Sequence, residues 1–265
     1  MTPVAIVTGA SAGIGAELAR AFARHGHAVV LVARREDRLK SLAAEIAAAG
    51  GPQPLALPID LGRPDAVTLI GEALAARGLE PQFVVNNAGF GLIGPAAELD
   101  RSEQLGMIDL NVRLLTDLSL TFVDDFARNR GGVLNVASVA GFLPGPGMAV
   151  YYASKAYVLS FTEALHRELL PRGVRVSCLC PGPVATEFSA RAGSIEGGSP
   201  DILTVSAARV AEIAYDGLMR NKRVVIPGIA NKIATLLIRI TPRALQLEVL
   251  AARQKRRIRS PAPGT

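Results

Sequence analysis

The chain has 265 residues, of which 49% are hydrophobic and 20% are charged. This composition indicates a folded globular protein, excludes a disordered chain, and allows one large domain or two small ones. The net charge of +6 is concentrated at one end: residues 228–265 contain eight Lys and Arg residues and one acid, whereas residues 1–227 contain 21 basic and 22 acidic side chains. A nucleic-acid-binding surface over the whole chain is therefore not supported, and we expect no nucleic-acid partner.

The chain has two cysteines, Cys178 and Cys180, which is too few for a disulfide framework and favours a reducing compartment. They lie in a run that alternates like a strand and has no His or Cys partners nearby, so buried thiols are favoured and no metal site is predicted. The first residues show no basic region before a long apolar stretch, and no apolar run approaches the roughly 18 residues of a spanning helix. We therefore expect a cytoplasmic protein.

Short apolar runs alternate with longer helical runs along the chain. The predicted strands are 4–9, 27–35, 54–61, 82–89, 131–138, 174–182 and 223–228. The predicted helices are 14–26, 36–51, 64–78, about 101–128, 151–173 and about 207–219. Strands that are apolar on both faces and alternate with helices predict an α/β fold with a doubly wound parallel sheet, the Rossmann-type arrangement. We predict a single such domain over residues 1–228, with a polar substrate loop at about 187–203, and a helical basic extension over 229–265.

The segment TGASAGIG, from Thr8 to Gly15, joins the first predicted strand to the first predicted helix. Glycines at this place permit a tight turn and a close approach to a pyrophosphate at the helix N-terminus. Because the turn follows a strand and precedes a helix, it favours a dinucleotide site over a plain turn.

The end of the second predicted strand carries Arg34 and Arg35, at the place where an acid would bind the ribose 2′-OH of NAD. Arginines there favour the 2′-phosphate of NADP. The alternative is a pair of solvated charges at the start of the next helix.

Three of the four tyrosines lie between positions 149 and 161. Tyr151 alone among them has a lysine, Lys155, four residues further on, and such a pair shares one face of a helix. A nearby ammonium and the helix N-terminus would both lower the pKa of a phenol from its usual value near 10. Tyr151 is therefore the candidate for proton transfer, while Tyr152 and Tyr157 are interpreted as packing residues or pocket walls.

Polar residues also follow the fourth and fifth predicted strands. NNAG, from Asn86 to Gly89, ends the fourth, and Ser138 ends the fifth. In an open α/β sheet ligands bind beyond the carboxyl ends of the strands, so these residues should lie at the same edge as the glycine turn. A serine at a strand end is also a common helix cap.

Six segments taken in order resemble the short-chain dehydrogenase/reductase family in its single-domain form, over about residues 4–190. They are TGASAGIG, NNAG, Asn111 in DLNVRLL, Ser138 in NVASVAG, YYASK, and PGPVAT from Pro181 to Thr186. The resemblance implies an oxidoreductase that interconverts a carbonyl and an alcohol with a nicotinamide cofactor, NADP(H) being favoured by the arginines. One departure is Ala12, which stands inside the glycine turn where many NADP-binding members of the family carry a basic residue.

The resemblance also implies the catalytic roles. Tyr151 would donate a proton to the carbonyl oxygen or accept one in the oxidative direction. Lys155 would lower the pKa of Tyr151 and hold the nicotinamide ribose, and Ser138 would orient the carbonyl. Asn111 would hold the long helix open around a water that links Lys155 to solvent.

For the cofactor, the resemblance implies adenine contacts from Asp60 and Leu61, ribose contacts from residues 87–89, and carboxamide and pyrophosphate contacts from residues 181–186. The complete predicted cofactor set is Gly9, Ser11, Gly13, Ile14, Gly15, Arg34, Arg35, Asp60, Leu61, Asn87, Ala88, Gly89, Tyr151, Lys155, Pro181, Gly182, Val184 and Thr186.

The substrate should contact residues near 90–94, 139–149 and 187–203, where no charged group stands out before Arg191 and the apolar side chains are Phe90, Leu92, Ile93, Phe142, Leu143, Met148 and Phe188. The predicted substrate contacts are Ser138, Phe90, Phe142, Tyr151 and Phe188. We therefore expect an apolar ketone, aldehyde or secondary alcohol rather than an acid or a sugar, and, from the family resemblance, a homo-oligomer.

The extension mixes apolar and basic residues and ends in RQKRRIR, from Arg253 to Arg259. Such a segment can lie on an anionic membrane surface, here the inner face of the membrane. It can equally be a helix packed on the domain or on a second copy. Two other functions compete with the oxidoreductase: a non-catalytic NADP(H)-binding sensor and a membrane-attached scaffold. A sensor does not need the four residues Asn111, Ser138, Tyr151 and Lys155, and a scaffold does not need the glycine turn.

Overall fold

The computed structural model describes residues 1–184 and 203–259. Within them seven parallel strands form one sheet in the order β3-β2-β1-β4-β5-β6-β7. The strands are β1 (Thr2–Thr8), β2 (Ala28–Ala33), β3 (Leu55–Pro58), β4 (Leu79–Asn86), β5 (Gly132–Val136), β6 (Arg175–Leu179) and β7 (Val224–Val225). The order reverses direction between β1 and β4, and the carboxyl ends of these two strands therefore flank a crevice of the kind that binds ligands in such sheets.

Helices cover both faces of the sheet. They are α1 (Gly13–Arg24), α2 (Glu36–Ala48), α3 (Ala66–Ala75), α4 (Arg101–Ile108), α5 (Leu115–Thr121), α6 (Val123–Arg128), α7 (Ala149–Leu169), α8 (Ala207–Met219), α9 (Ile229–Ile240) and α10 (Arg243–Arg259). Short 3-10 turns occupy Val139–Phe142 and Leu170–Arg172. The doubly wound parallel sheet predicted from the sequence is confirmed.

Successive residues of the strands point into two separate cores. Val7 of β1 packs in a cluster with Phe22 of α1 and Leu218 of α8, whereas its neighbour Ile6 packs with Ile70 of α3 on the other side. Both faces of the strand are buried, which explains why the strand sequences are apolar throughout rather than alternating. The cores fix the strand ends, from which the functional candidates project.

The helical stretch predicted over about 101–128 is helical apart from Phe122, but it is not one regular α-helix. A π-helical segment, Asp109–Leu114, separates α4 from α5, and Phe122 (φ −105°) separates α5 from α6. A π-helical turn widens a helix locally and is frequent at functional sites. Here it carries Asn111, whose side chain is turned into the protein interior and is only 1% exposed.

The extension after Gly228 is helical, and its first helix packs on the rest of the protein. Asn231 is buried and donates hydrogen bonds from Nδ2 to Pro227 O (2.9 Å) and Leu203 O (3.0 Å). Thr235, one turn later, is buried beside it. Within the described residues no helix combines the length and apolar content needed to cross a bilayer.

Candidate active site

A cavity of about 1020 Å³ opens at the carboxyl edge of the sheet. Its lining includes these predicted residues: Gly9, Ser11, Gly13, Ile14, Gly15, Arg34, Arg35, Asp60, Leu61, Asn87, Ala88, Gly89, Phe90, Ser138, Tyr151, Lys155, Pro181, Gly182 and Val184. The structure therefore brings together most of the positions chosen from the sequence. Asn111 and Phe142 do not line the cavity, and Thr186 and Phe188 lie outside the described residues.

The glycine turn makes one end of this cavity a close-fitting cradle. Gly9 and Gly13 have φ values of +66° and +56°, a region that favours glycine. At Gly15 an added Cβ would lie 2.3 Å from Gly9 O, so only glycine allows this packing of helix against turn. The N-terminus of α1 follows directly, and no side chain caps it. These residues fit a dinucleotide pyrophosphate, which the amide groups and dipole of a helix N-terminus bind well.

Thr8 ties the glycine turn to the end of β4. Its hydroxyl accepts hydrogen bonds from the backbone N–H groups of Asn87 (3.0 Å) and Ala88 (3.1 Å) and donates one to Val85 O (3.1 Å). Asn87 completes the tie by donating from Nδ2 to Thr8 O at 3.0 Å. Thr8 was not among the predicted site residues, although its place as the first polar residue after an apolar strand could have indicated it. It holds two parts of the cofactor site in register.

Both arginines follow the end of β2 and line the cavity near the glycine turn. The guanidinium of Arg35 donates hydrogen bonds from Nε (3.3 Å) and Nη2 (3.1 Å) to Ser11 Oγ, while Arg34 is exposed at the rim. Leu61 is only 5% exposed, and Asp60 accepts a hydrogen bond from the backbone N–H of Gly62 at 3.0 Å. Two cations beside the glycine turn make this end of the cavity suitable for a phosphate.

Tyr151, Lys155 and Ser138 meet in the middle of the cavity. Tyr151 lies in the first turn of α7, and Lys155 follows one turn later on the same face, with its Nζ 5.9 Å from the centroid of the Tyr151 ring. Lys155 donates a hydrogen bond to Val136 O at 2.8 Å. Ser138 caps the 3-10 turn, its Oγ accepting from the N–H of Ala140 at 3.1 Å, and its hydroxyl also hydrogen-bonds Tyr151. The serine is therefore both a cap and a partner of the tyrosine.

Burial shifts the pKa values of both Tyr151 and Lys155. It raises the pKa of Tyr151 to about 12, and the hydrogen bond with Ser138, which lowers the pKa, offsets it only in part. Burial also lowers the pKa of Lys155 to about 8. The sequence predicted that Lys155 would lower the pKa of Tyr151, but the net effect of the surroundings is to raise it. The physical reason is that burial removes the phenolate from water, and this costs more free energy than the hydrogen bonds of its polar neighbours recover.

Asn111 organises the site from behind. Its Nδ2 donates to Phe90 O (3.0 Å) and Ser154 Oγ (3.1 Å), and its Oδ1 accepts from the N–H of Phe90 (3.2 Å). A Cβ added at Gly89 would lie 2.8 Å from Asn111 Oδ1 and 3.6 Å from Lys155 Nζ. The asparagine thus fixes the loop after β4 against α7, and the glycine leaves space between the amide and the lysine.

The remaining wall of the cavity is apolar. It is formed by Phe90, Gly106, Leu110, Val139, Ala140, Leu143, Met148 and Tyr152. Gly106 was not predicted; a glycine inside a helical pattern was the available signal. Phe142, predicted as a substrate contact, instead packs with Cys178 and Cys180 and lies 5.3 Å below the guanidinium of Arg239. That prediction is corrected: the 3-10 turn directs Phe142 away from the cavity.

Two further observations concern other chemistry. Cys178 and Cys180 are free buried thiols. In the part of the chain that the structure describes, no group of three or more His, Cys, Asp and Glu side chains is placed to hold a metal ion.

Comparison with known proteins agrees with this geometry. The family model described as short chain dehydrogenase matches residues 3–196. Sulfoacetaldehyde reductase 2 of Chromohalobacter salexigens is 34% identical over 223 residues, which cover 81% of this chain and 88% of that protein.

Two solved structures are similar over nearly the whole chain. One is a short-chain dehydrogenase from Sphingobium yanoikuyae in complex with NADPH, with a TM-score of 0.79, 32% identity, and coverage of 99% of this chain and 98% of that one. The other is a bulky-bulky ketone specific alcohol dehydrogenase from Comamonas testosteroni, with a TM-score of 0.73, 26% identity, and coverage of 100% and 97%.

Proposed function

The chain belongs to the short-chain dehydrogenase family and is an oxidoreductase of CH–OH groups, and from this we propose that it uses NADP(H) to interconvert an apolar carbonyl compound and its alcohol, with Tyr151 as the general acid and base. One observation carries the proposal. Tyr151, Ser138 and Lys155 line the same cavity as a glycine cradle at a helix N-terminus. A sensor or a scaffold has no need of a buried tyrosine between a serine and a lysine at that place.

Tyr151, Ser138 and Lys155 each have a separate role in the proposed reaction. In the reductive direction the Tyr151 hydroxyl donates its proton to the carbonyl oxygen, and in the oxidative direction the phenolate accepts one. The Ser138 hydroxyl hydrogen-bonds the same oxygen and orients it. Lys155 keeps a positive charge beside the ring, which stabilises the phenolate left after proton donation. The chemistry that a bound nicotinamide supplies is hydride transfer at the carbonyl carbon.

The pKa of Tyr151 bears on the direction. Because burial raises this pKa to about 12, the residue is a neutral phenol at physiological pH. The neutral phenol is the form that donates a proton. The free site therefore holds the proton that carbonyl reduction uses.

For the proton path we propose that Asn111 supports a water between its own amide and Lys155. The space beside Gly89 lies next to both Asn111 Oδ1 and Lys155 Nζ. A water there would let Lys155 exchange protons with solvent while Tyr151 is covered by substrate.

The preference for NADP(H) is supported by Arg34 and Arg35 at the rim of the cavity. Arginine binds phosphate through a planar fork of N–H groups, which two oxygens of a 2′-phosphate can accept together, whereas a 2′-hydroxyl offers one uncharged oxygen. The similar Sphingobium yanoikuyae enzyme was solved with NADPH.

The proposal of an apolar substrate is supported by the wall opposite the glycine turn. Among the described residues, those that form the wall carry no charged side chain. In this described part of the wall a sulfonate or carboxylate, such as the substrate named for the Chromohalobacter salexigens relative, would meet no cation. The bulky ketones named for the Comamonas testosteroni enzyme suit this wall better.

We also propose a homo-oligomer. Large apolar side chains are exposed on adjoining elements, namely Leu105, Ile108, Leu120 and Tyr157. A cluster of this kind is typical of a protein–protein contact surface.

The proposal is tested by incubating the protein with NADPH and a panel of ketones and aldehydes while NADPH absorbance is followed. Tyr151→Phe should lower kcat/KM about a hundredfold to ten-thousandfold, the usual contribution of a general acid. Tyr157→Phe is the matched control, because it removes a phenol hydroxyl from the same helix outside the cavity lining and should leave the rate unchanged. Full activity in Tyr151→Phe would refute the mechanism, and cofactor binding without turnover of any carbonyl would favour the sensor.

A further inference from the structure

Helix α9 is oriented in an unusual way. Its two buried residues are polar, Asn231 and Thr235. Its large apolar residues on the opposite side are exposed: Ile229 (76%), Ile233 (54%), Leu236 (63%), Leu237 (55%) and Ile240 (74%). We call these five side chains the outer face of α9. A surface helix of a globular protein normally buries such a stripe and exposes its polar residues.

Hydrogen bonds hold the helix in this orientation. Asn231 bonds Leu203 O and Pro227 O, and Thr235 donates from Oγ1 to Asn231 O at 3.0 Å. A Cβ added at Gly182 would lie 2.4 Å from Asn231 Oδ1, so the asparagine also packs closely against the loop after β6. Turning the outer face inward would break the bond to Leu203 and the packing against Gly182, whereas the Thr235 bond lies within α9 itself. The apolar stripe therefore stays available to a partner.

The charge around the outer face is of one sign. Lys232 and Arg239 lie on α9 and Arg243 follows at the start of α10. No acidic residue occurs in the sequence between Asp216 and Glu248. An apolar stripe flanked by cations is complementary to a surface in which an anionic outer layer covers an apolar interior.

We propose that the outer face of α9 docks onto an anionic lipid surface. Five Ile and Leu side chains can enter the boundary between headgroups and acyl chains, while the exposed Lys232 and Arg243 can reach the phosphates. Each basic residue near an anionic leaflet adds about 1 kcal/mol of attraction. A second copy of this chain is a poorer occupant, because a two-fold interface sets the same patch against itself and brings like charges together.

The position of α9 gives docking a consequence for the reaction. Its buried side touches Gly182, which lines the cavity, and Arg239 lies above Phe142 in the turn that follows Ser138. Docking would hold this rim on the protein side of α9, about 10 Å or one helix diameter from the lipid. A substrate that leaves the acyl region would then reach the cavity over a short path.

The test is co-sedimentation of the full chain with vesicles of phosphatidylcholine alone and of phosphatidylcholine mixed with phosphatidylglycerol. We expect binding to the anionic vesicles that weakens as salt is raised. Leu236→Glu should weaken this binding about tenfold or more, since it removes a leucine that the lipid would cover and adds a charge of the same sign as the lipid. Leu170→Glu is the matched control: Leu170 is 42% exposed in the 3-10 turn after α7, and its replacement should leave vesicle binding unchanged.

Three results would overturn the proposal. The first is equal binding of the protein to neutral and anionic vesicles. The second is vesicle binding by Leu236→Glu that equals that of the wild type. The third is that the wild type does not bind vesicles and that Leu236→Glu has half the mass of the wild type in light scattering. The last would identify the outer face as an interface between copies. Leu236 lies outside the cavity lining, so reduction of a water-soluble ketone by Leu236→Glu should match the wild type. That activity reports separately on the proposed oxidoreductase function.

Discussion

The guanidinium of Arg35 lies against the hydroxyl of Ser11 and donates two hydrogen bonds to it, which links the end of β2 to the glycine turn. Arg34 stands beside it at the rim of the same cavity. In the proposed function this pair contacts the phosphate on the adenosine ribose of NADP(H).

Replacing both arginines by leucine should lower kcat/KM for NADPH about a hundredfold and change that for NADH little, because charge-assisted bonds to a phosphate are lost in the first case only. Initial rates with each cofactor measure this ratio. Arg38→Leu is the control, since Arg38 is an exposed arginine of α2 outside the cavity lining. An unchanged ratio in the double variant would remove the basis for the NADP preference.

A second prediction concerns the pH dependence of carbonyl reduction. The pKa of Lys155 is lowered to about 8 by burial, whereas that of Tyr151 is raised to about 12. As pH rises through about 8, Lys155 loses its charge while Tyr151 stays protonated, so kcat/KM should fall there. The pH profile of kcat/KM reports the free enzyme and is the measurement to make. A profile that stays level far above pH 8 would contradict the assigned role of Lys155.

Gly106 should set the size limit of the substrate. It lies inside α4 and lines the cavity, and an added Cβ would meet open space. Gly106→Leu should lower kcat/KM for bulky ketones about tenfold or more while sparing small ones, because a pocket discriminates by the space it offers. A carbonyl panel measures the effect.

Gly71 supplies the control for this prediction. It also lies inside a helix, α3, with open space at the Cβ position, but it is outside the cavity lining. Alanine at either position should raise the unfolding free energy by about 0.5–1 kcal/mol, since glycine disfavours helix. Gly71→Leu should not alter the substrate profile. If it altered the profile as Gly106→Leu does, the effect would not be local.

The fourth prediction is that the protein loses stability in mild acid through His27. This side chain packs against Phe22 and Phe83 and shares a hydrogen bond of 2.9 Å with Tyr215. Burial lowers its pKa below 6.5, and His25 adds to the lowering, although a hydrogen bond with Gln82 opposes it. The neutral form is favoured by folding, so this stability is complete above pH 6.5 and is lost as pH falls through the lower folded-state pKa.

Thermal unfolding at neutral pH and in mild acid tests this prediction. His27→Gln keeps a polar partner for Tyr215 but does not titrate, so its midpoint should fall less than that of the wild type over this interval. Equal falls in the two proteins would assign the acid sensitivity to other groups.

The sequence was sufficient for the architecture because apolar runs of strand length alternate with helical runs, and this order leaves few alternatives. It also indicated which residues share a cavity, since Ser138 and the glycine turn both follow strands and parallel strands end at one edge. The roles assigned to those residues remain predictions.

Other features depend on the three-dimensional environment. The π-helical segment is set by where the Asn111 amide finds partners, and the direction of Phe142 by the 3-10 turn that carries it. The raised pKa of Tyr151 reflects the loss of solvent around the whole ring. Sequence spacing identified its lysine neighbour but not the extent of that burial.

The hydrogen bonds of Asn231 have a practical consequence for anyone who shortens this protein. Asn231 belongs to the extension, yet it bonds Leu203 and Pro227 and packs against Gly182 at the edge of the cavity. A chain that ends at residue 228 would lose these hydrogen bonds and packing contacts as well as its basic end. Weak turnover by such a fragment could come from the loss of these contacts and would not test whether lipid supplies the substrate. Point substitutions on the outer face of α9 test that without disturbing the cavity.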